Sequence, residues 1–121
     1  MSSKTKYLEL APLIHQAALD PHLSIDSLKA ICDASLHYGF SGLCTDLNHL
    51  PTARERLGAA NKTKLIAVIS FPFGSIPSEH KKAEAIWAAE QGAEQLDLVP
   101  NFFALTQGEI EIFAEEIAMI C

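Results

Sequence analysis

The chain has 121 residues, 49% of them apolar and 20% charged, with a formal net charge of -6. That length allows one domain with a respectable core, and the composition excludes a disordered polymer. The negative field repels phosphate backbones and anionic lipid headgroups, so neither nucleic acid nor a membrane is an expected partner.

The leading stretch "YLELAPLIHQA" reads as a short helix running into a short strand around Leu13 to Ala17. Glu9, Pro12, His15 and Gln16 interrupt its apolar run, so neither a signal peptide nor a membrane span is expected. "SIDSLKAICDASLHYGF" opens on Ser24 as an N-cap, carries Ile25, Leu28, Ile31, Cys32 and Leu36 on one face, and stops at Gly39. "SGLCTDL" is a brief strand, followed by the helix of "LPTARERLGAA", with Pro51 in its first turn and Gly58 at its stop.

The β-branched run Leu65 to Phe71 is uninterrupted, as in a strand covered on both faces, and Pro72 and Gly74 end it. A helix is expected from Ser78 to about Gly92, with Ala83, Ile86, Trp87 and Ala89 or Glu90 dividing its buried and wet faces. "QLDLV" is the next strand, and a last helix carries Ile110, Phe113, Ile117 and Ile120 along one side. The pattern predicts an α/β fold of about four parallel β/α units in a single domain, residues 1–121. The three cysteines, Cys32, Cys44 and Cys121, are odd in number and widely spaced. That spacing suits neither a disulfide framework nor a CxxC metal site, and the reducing cytoplasm is the expected compartment.

In parallel α/β sheets reactive groups gather at the carboxyl ends of the strands, where loops converge and helix N-termini point inward. The polar residues expected there are His15 and Gln16, then Cys44, Thr45 and Asp46, then Ser70 beside Phe73 and Gly74, and finally Asp97 with Asn101. Asp97 stands out because it lies between Leu96 and Leu98, where an unpaired buried charge costs several kcal/mol or shifts its pKa. The plain reading is a salt bridge or a loop cap; the functional one needs a cationic partner in the same cavity.

His15 alone is an ordinary hydrogen-bonded core residue as readily as a catalyst, and Cys44 in an apolar strand is ordinary packing. His15, Cys44 and His49 lack any ligand spacing, so no metal is expected. His22, His37 and His80 read as surface or loop residues, and "FPFGS" as a turn before a phosphate loop.

In order, "GFSGLCTDL", "LIAVISFPFG", "KKAEAIWAAEQGAEQLDLVPN" and "ALTQGEIEIFAEEI" resemble the first half of deoxyribose-phosphate aldolase, a class I aldolase with a TIM-barrel fold. The resemblance rests on Cys44 in the second strand, "VISFPFG", Lys81 with Glu84, "GAEQLD", and Val99 with Asn101. It implies about half of a (β/α)8 barrel, which in full needs about 250 residues. It further implies cleavage of 2-deoxyribose 5-phosphate to glyceraldehyde 3-phosphate and acetaldehyde through a lysine Schiff base, with no cofactor. Asp97 matches the family's strand-four aspartate, similar to a proton-relay residue beside active-site lysines, and His15, Cys44, Ser70 and Asn101 would line the substrate pocket.

Three departures accompany the resemblance. The family's imine-forming and pKa-lowering lysines lie on later strands, and so do its phosphate-binding loops. The first strand has His15 and Ala17 where the family has Asp and Thr, and the third-strand motif has Ser70 and Phe73 for Gly and His. The seven lysines, Lys4, Lys6, Lys29, Lys62, Lys64, Lys81 and Lys82, are all expected to be solvated. The expectation is therefore an N-terminal half-barrel, inactive alone, whose open edges are closed by a second half or by another copy, with a small sugar phosphate as ligand. A catalytically silent aldolase-like binding protein is the alternative, and an unrelated flavodoxin-like or receiver-like domain the third.

Overall fold

The computed structural model describes residues 9–59 and 62–121. Much of the leading helix, with Lys4 and Lys6, lies outside them. Within them the chain enters through a 3-10 turn, Ala11–Leu13, into β1, His15–Ala18. There follow α1 (Ile25–Tyr38), β2 (Gly42–Thr45), a 3-10 turn at Leu47–His49, α2 (Leu50–Leu57) and β3 (Lys64–Ile69). The chain continues with α3 (Ser78–Glu90), β4 (Gln95–Leu98), a short α4 (Phe102–Thr106) and α5 (Ile110–Ile120).

The helix boundaries follow from local chemistry. Ser24 Oγ accepts the Ser27 N–H at 3.1 Å, and Gly39 closes α1 in the left-handed conformation at φ 72°. Pro51 sits in the first turn of α2, where its missing N–H costs nothing, and Gly58 caps the other end. The third strand is shorter than expected: it ends at Ile69, because Ser70 turns out of the sheet with φ 53°.

All three strand pairs are parallel and the order is β1-β2-β3-β4, each strand beside its neighbour in sequence. Doubly wound sheets reverse their order at a switch point; this one does not, which removes the flavodoxin-like and receiver-like alternatives. Among the described residues the helices that pack on the sheet lie on one side. Leu43, Leu65, Ala67 and Ile69 face them and pack with Leu28, Cys32, Leu50, Ala53, Leu57, Ala85 and Ala88 in the main core. On the other side Cys44, Ile66 and Val68 form a small cluster with Leu19. One-sided helices on a sequentially ordered parallel sheet are the layout of a barrel wall.

Two helix faces differ from the sequence reading. In α3 the buried stripe is Lys81, Ala85 and Ala88, while Ile86 and Trp87 are exposed. In α5 Ile110 is exposed, Phe113, Ile117 and Ile120 are half-buried, and Glu116 is the buried residue. The expectation that every lysine is solvated is corrected by Lys81, which is 0% exposed. Its Nζ donates to Glu116 Oε1 at 2.8 Å and to the Val99 carbonyl at 3.1 Å, and Ser78 Oγ donates to the other Glu116 oxygen. A buried ammonium is tolerated there because it is both paired and hydrogen-bonded. At the amino end of the sheet, Glu94 accepts from Arg54 at 2.9 Å and lies 3.2 Å from Lys64, and the Arg54 contact holds its carboxyl below the usual range.

Candidate active site

Side chains alternate along a strand, so the register assigns each residue to a face. Ala17, Cys44, Ile66 and Gln95 share one row, and Val68 and Asp97 the row beyond it, on the face without helices. Leu96 and Leu98 go the other way, to the helices. The lone acid of β4 therefore points to the inner face of the sheet. Cys44 Sγ donates to Asp97 Oδ2 at 3.2 Å, reaching from β2 to β4 across the intervening β3. On a flat sheet those strands stand about 10 Å apart. The contact requires the sheet to curl toward that face, as a barrel wall does. Burial, and next the adjacent Asp97 carboxylate, push the Cys44 thiol up to about 12, so it stays protonated.

The carboxyl rim is fastened from outside. The Ser70 N–H donates to Glu84 Oε1 at 2.8 Å, and its Oγ donates to the Val99 carbonyl at 2.9 Å. Val99 O thus receives both Ser70 and Lys81, which ties the exits of β3 and β4 to α3. Gly74, at φ 70°, lies so close to β4 that an added Cβ would stand 2.5 Å from the Pro100 carbonyl oxygen. Asn101 Oδ1 accepts the Ala104 N–H at 3.0 Å and caps α4.

Ser70 holds a left-handed backbone without being glycine, and its hydroxyl offsets part of that strain by bonding across to β4. Ser70→Ala keeps the strain and loses the bond, and a destabilisation of about 1 kcal/mol is expected in urea unfolding. Ser70→Gly loses the bond but relieves the strain, so its midpoint is expected above that of the alanine variant.

The expected pocket residues are only partly brought together. Cys44 and Asp97 touch. Ser70 lines a cleft of about 490 Å3 with Asp46, Asn48, Phe73 and Glu84, whereas Asn101 lines a neighbouring one of about 560 Å3 with Phe73, Phe102 and Phe103. His15 is a correction: it is the first residue of β1, paired with Gly42, and so stands at the amino end of the sheet, not after the strand. A strand boundary displaced by two residues moved it from one rim to the other. Among the described residues no three His, Cys, Asp or Glu side chains gather as metal ligands. His49 Nδ1 is instead 3.1 Å from Thr45 Oγ1 and 3.2 Å from Asp46 Oδ1. Lys81, Glu84 and Glu116, which hold the rim, were not read as site residues; the i, i+4, i+7 spacing of Lys81 with Ala85 and Ala88 is the signal that would have found the first.

The geometry defines about half of a (β/α)8 barrel, with one carboxylate on its inner wall near the carboxyl rim. No protein-family model matches the chain. The deoxyribose-phosphate aldolase of Thermococcus kodakarensis is 34% identical over 113 residues, 93% of this chain and 50% of that protein. An aldolase designated QR15 superposes with a TM-score of 0.86 at 31% identity, covering 93% of this chain and 49% of its own. A tetrameric deoxyribose phosphate aldolase from Aeropyrum pernix matches 78% of this chain and 40% of its own, with a TM-score of 0.69 at 31% identity. The chain is thus similar to the deoxyribose-phosphate aldolases over nearly its whole length, and it spans about half the length of the curated relatives it matches.

Proposed function

We propose that this chain is the first half of a deoxyribose-phosphate aldolase-like lyase, one domain over residues 1–121, in which Asp97 relays protons beside an imine formed by a lysine of the other half. The observation that carries this reading is the inward aim of Asp97 from the fourth strand of a curled parallel sheet. A lysine amine condenses with the carbonyl of 2-deoxyribose 5-phosphate with loss of water; a base then takes the C3 hydroxyl proton, and the protonated imine accepts the electron pair of the carbon–carbon bond as it breaks. Glyceraldehyde 3-phosphate leaves, an acid protonates the enamine carbon, and water frees acetaldehyde. Asp97 is suited to that proton traffic by its position on the inner wall.

Alone the chain is inactive in this reading. Among the described lysines, Lys81 is locked to Glu116, Lys64 stands at the amino end with Glu94, and Lys29, Lys62 and Lys82 are exposed. Among the described residues β1 and β4 each have one strand neighbour, and unpaired edges invite a further strand. Ile110, Ile112 and Met119 on α5 are exposed apolar residues, as is Phe103 on α4. A second half-barrel, in one polypeptide or from an oligomeric neighbour, would cover them. No described helix is long and apolar enough to cross a membrane, and the reading places the enzyme in the cytoplasm.

Ser70 in a left-handed conformation, at the position where the aldolase motif has glycine, favours a second reading: a silent aldolase-like protein that binds a sugar phosphate or a partner. Borohydride reduction in the presence of acetaldehyde separates the two. The assembled protein with both halves is expected to gain one reduced adduct on a lysine of the second half, read by intact mass and peptide mapping. Absence of any adduct would favour the silent protein.

A further inference from the structure

Among the described residues the inner wall contains one polar contact between strands that are not neighbours, and it joins a thiol to the acid of β4. Cys44 is buried and its Sγ lies 3.2 Å from Asp97 Oδ2. Leu43 and Thr45 on either side of it face the helices, so the cysteine is the residue of β2 that the register turns toward β4. Thr45 Oγ1 is engaged by the Ala18 carbonyl at 2.7 Å, leaving the thiol as the donor for the carboxylate. We propose that Cys44 is a positioning residue for Asp97: its S–H anchors Oδ2, fixes the carboxylate rotamer, and leaves Oδ1 to handle the proton.

A thiolate could not play this part, since it would repel the acid and has no proton to donate. The arrangement keeps Cys44 a thiol. Burial and the Asp97 charge both disfavour ionisation, and the other charged side chains of the inner row stand elsewhere: His15 and Lys64 at the amino end of the sheet, the latter with Glu94. Asp46, after β2, is turned onto His49. Asp97 is therefore the charge that Cys44 feels. The catalytic consequence rests on the proposed lyase reading; the pairing itself does not.

The test has two arms. In this chain, labelled with 13C-cysteine, the 13Cβ resonance of Cys44 is followed against pH in wild type and Asp97→Asn. Removing the charge is expected to raise the thiolate population at pH 10 about tenfold; an unmoved titration would overturn the pairing. In the assembled enzyme, Cys44→Ala is expected to lower kcat about fivefold at unchanged KM, and Cys44→Ser, which keeps a donor, to restore most of it. Equal losses in the two variants, or none in either, would overturn the positioning role. If wild type shows no retro-aldol turnover, the lyase reading fails, and the Cys44 titration alone decides the pairing.

Discussion

Lys81→Ala is expected to destabilise the fold by about 3–5 kcal/mol, the range for breaking a buried ion pair by removing one partner. The reason is the charge left behind. Glu116 is buried, and without the ammonium its carboxylate keeps only the Ser78 hydroxyl. The Val99 carbonyl also loses a donor, and the stem of a fully buried side chain leaves a cavity. With a urea dependence of about 2 kcal/mol per molar, the midpoint should fall by about 2 M. Lys81→Met combined with Glu116→Leu removes both charges while keeping volume, and it is expected to recover much of the loss. A single alanine variant with an unshifted midpoint would mean that the α3–α5 pair does not hold the rim.

The effect extends beyond stability. Val99 follows Asp97 by two residues, and its carbonyl is where Lys81 and Ser70 converge. The helix layer thus fixes the exit of β4 from behind, while Cys44 holds the aspartate from the front. A residue with no place on the inner wall therefore helps to set the aim of one that has.

Much of this architecture was legible in the sequence because the signals are local. Ser24 and Gly39 bracket α1 through capping chemistry, and the β-branched run before Ser70 can bury both faces only as a central strand. Asp97 was legible for the same reason: in a period-two segment a charge between two leucines must take the opposite face from them. What was not legible depends on partners distant in the chain. Lys81 reads as a wet helix residue until Glu116, 35 positions later, is brought against it. Ser70 reads as the end of a strand because nothing in a serine announces a left-handed backbone. His15 was misplaced because short strands have soft boundaries, and in a strand of four residues a small displacement exchanges one rim for the other. The short α4 was not expected: Asn101 caps its start, and the turn at Gly108 separates it from α5.

Asp97 is proposed to work on protons at the inner wall. Its side chain is exposed on that wall, and its hydrogen bond to Cys44 can also be accepted by an amide oxygen, so Asp97→Asn should leave the urea midpoint nearly unchanged. Retro-aldol turnover measured on the assembled enzyme is a different matter: kcat for 2-deoxyribose 5-phosphate is expected to fall by about 10²–10⁴, the contribution of a positioned proton-transfer group. An asparagine variant that folds normally and turns over like wild type would contradict the account.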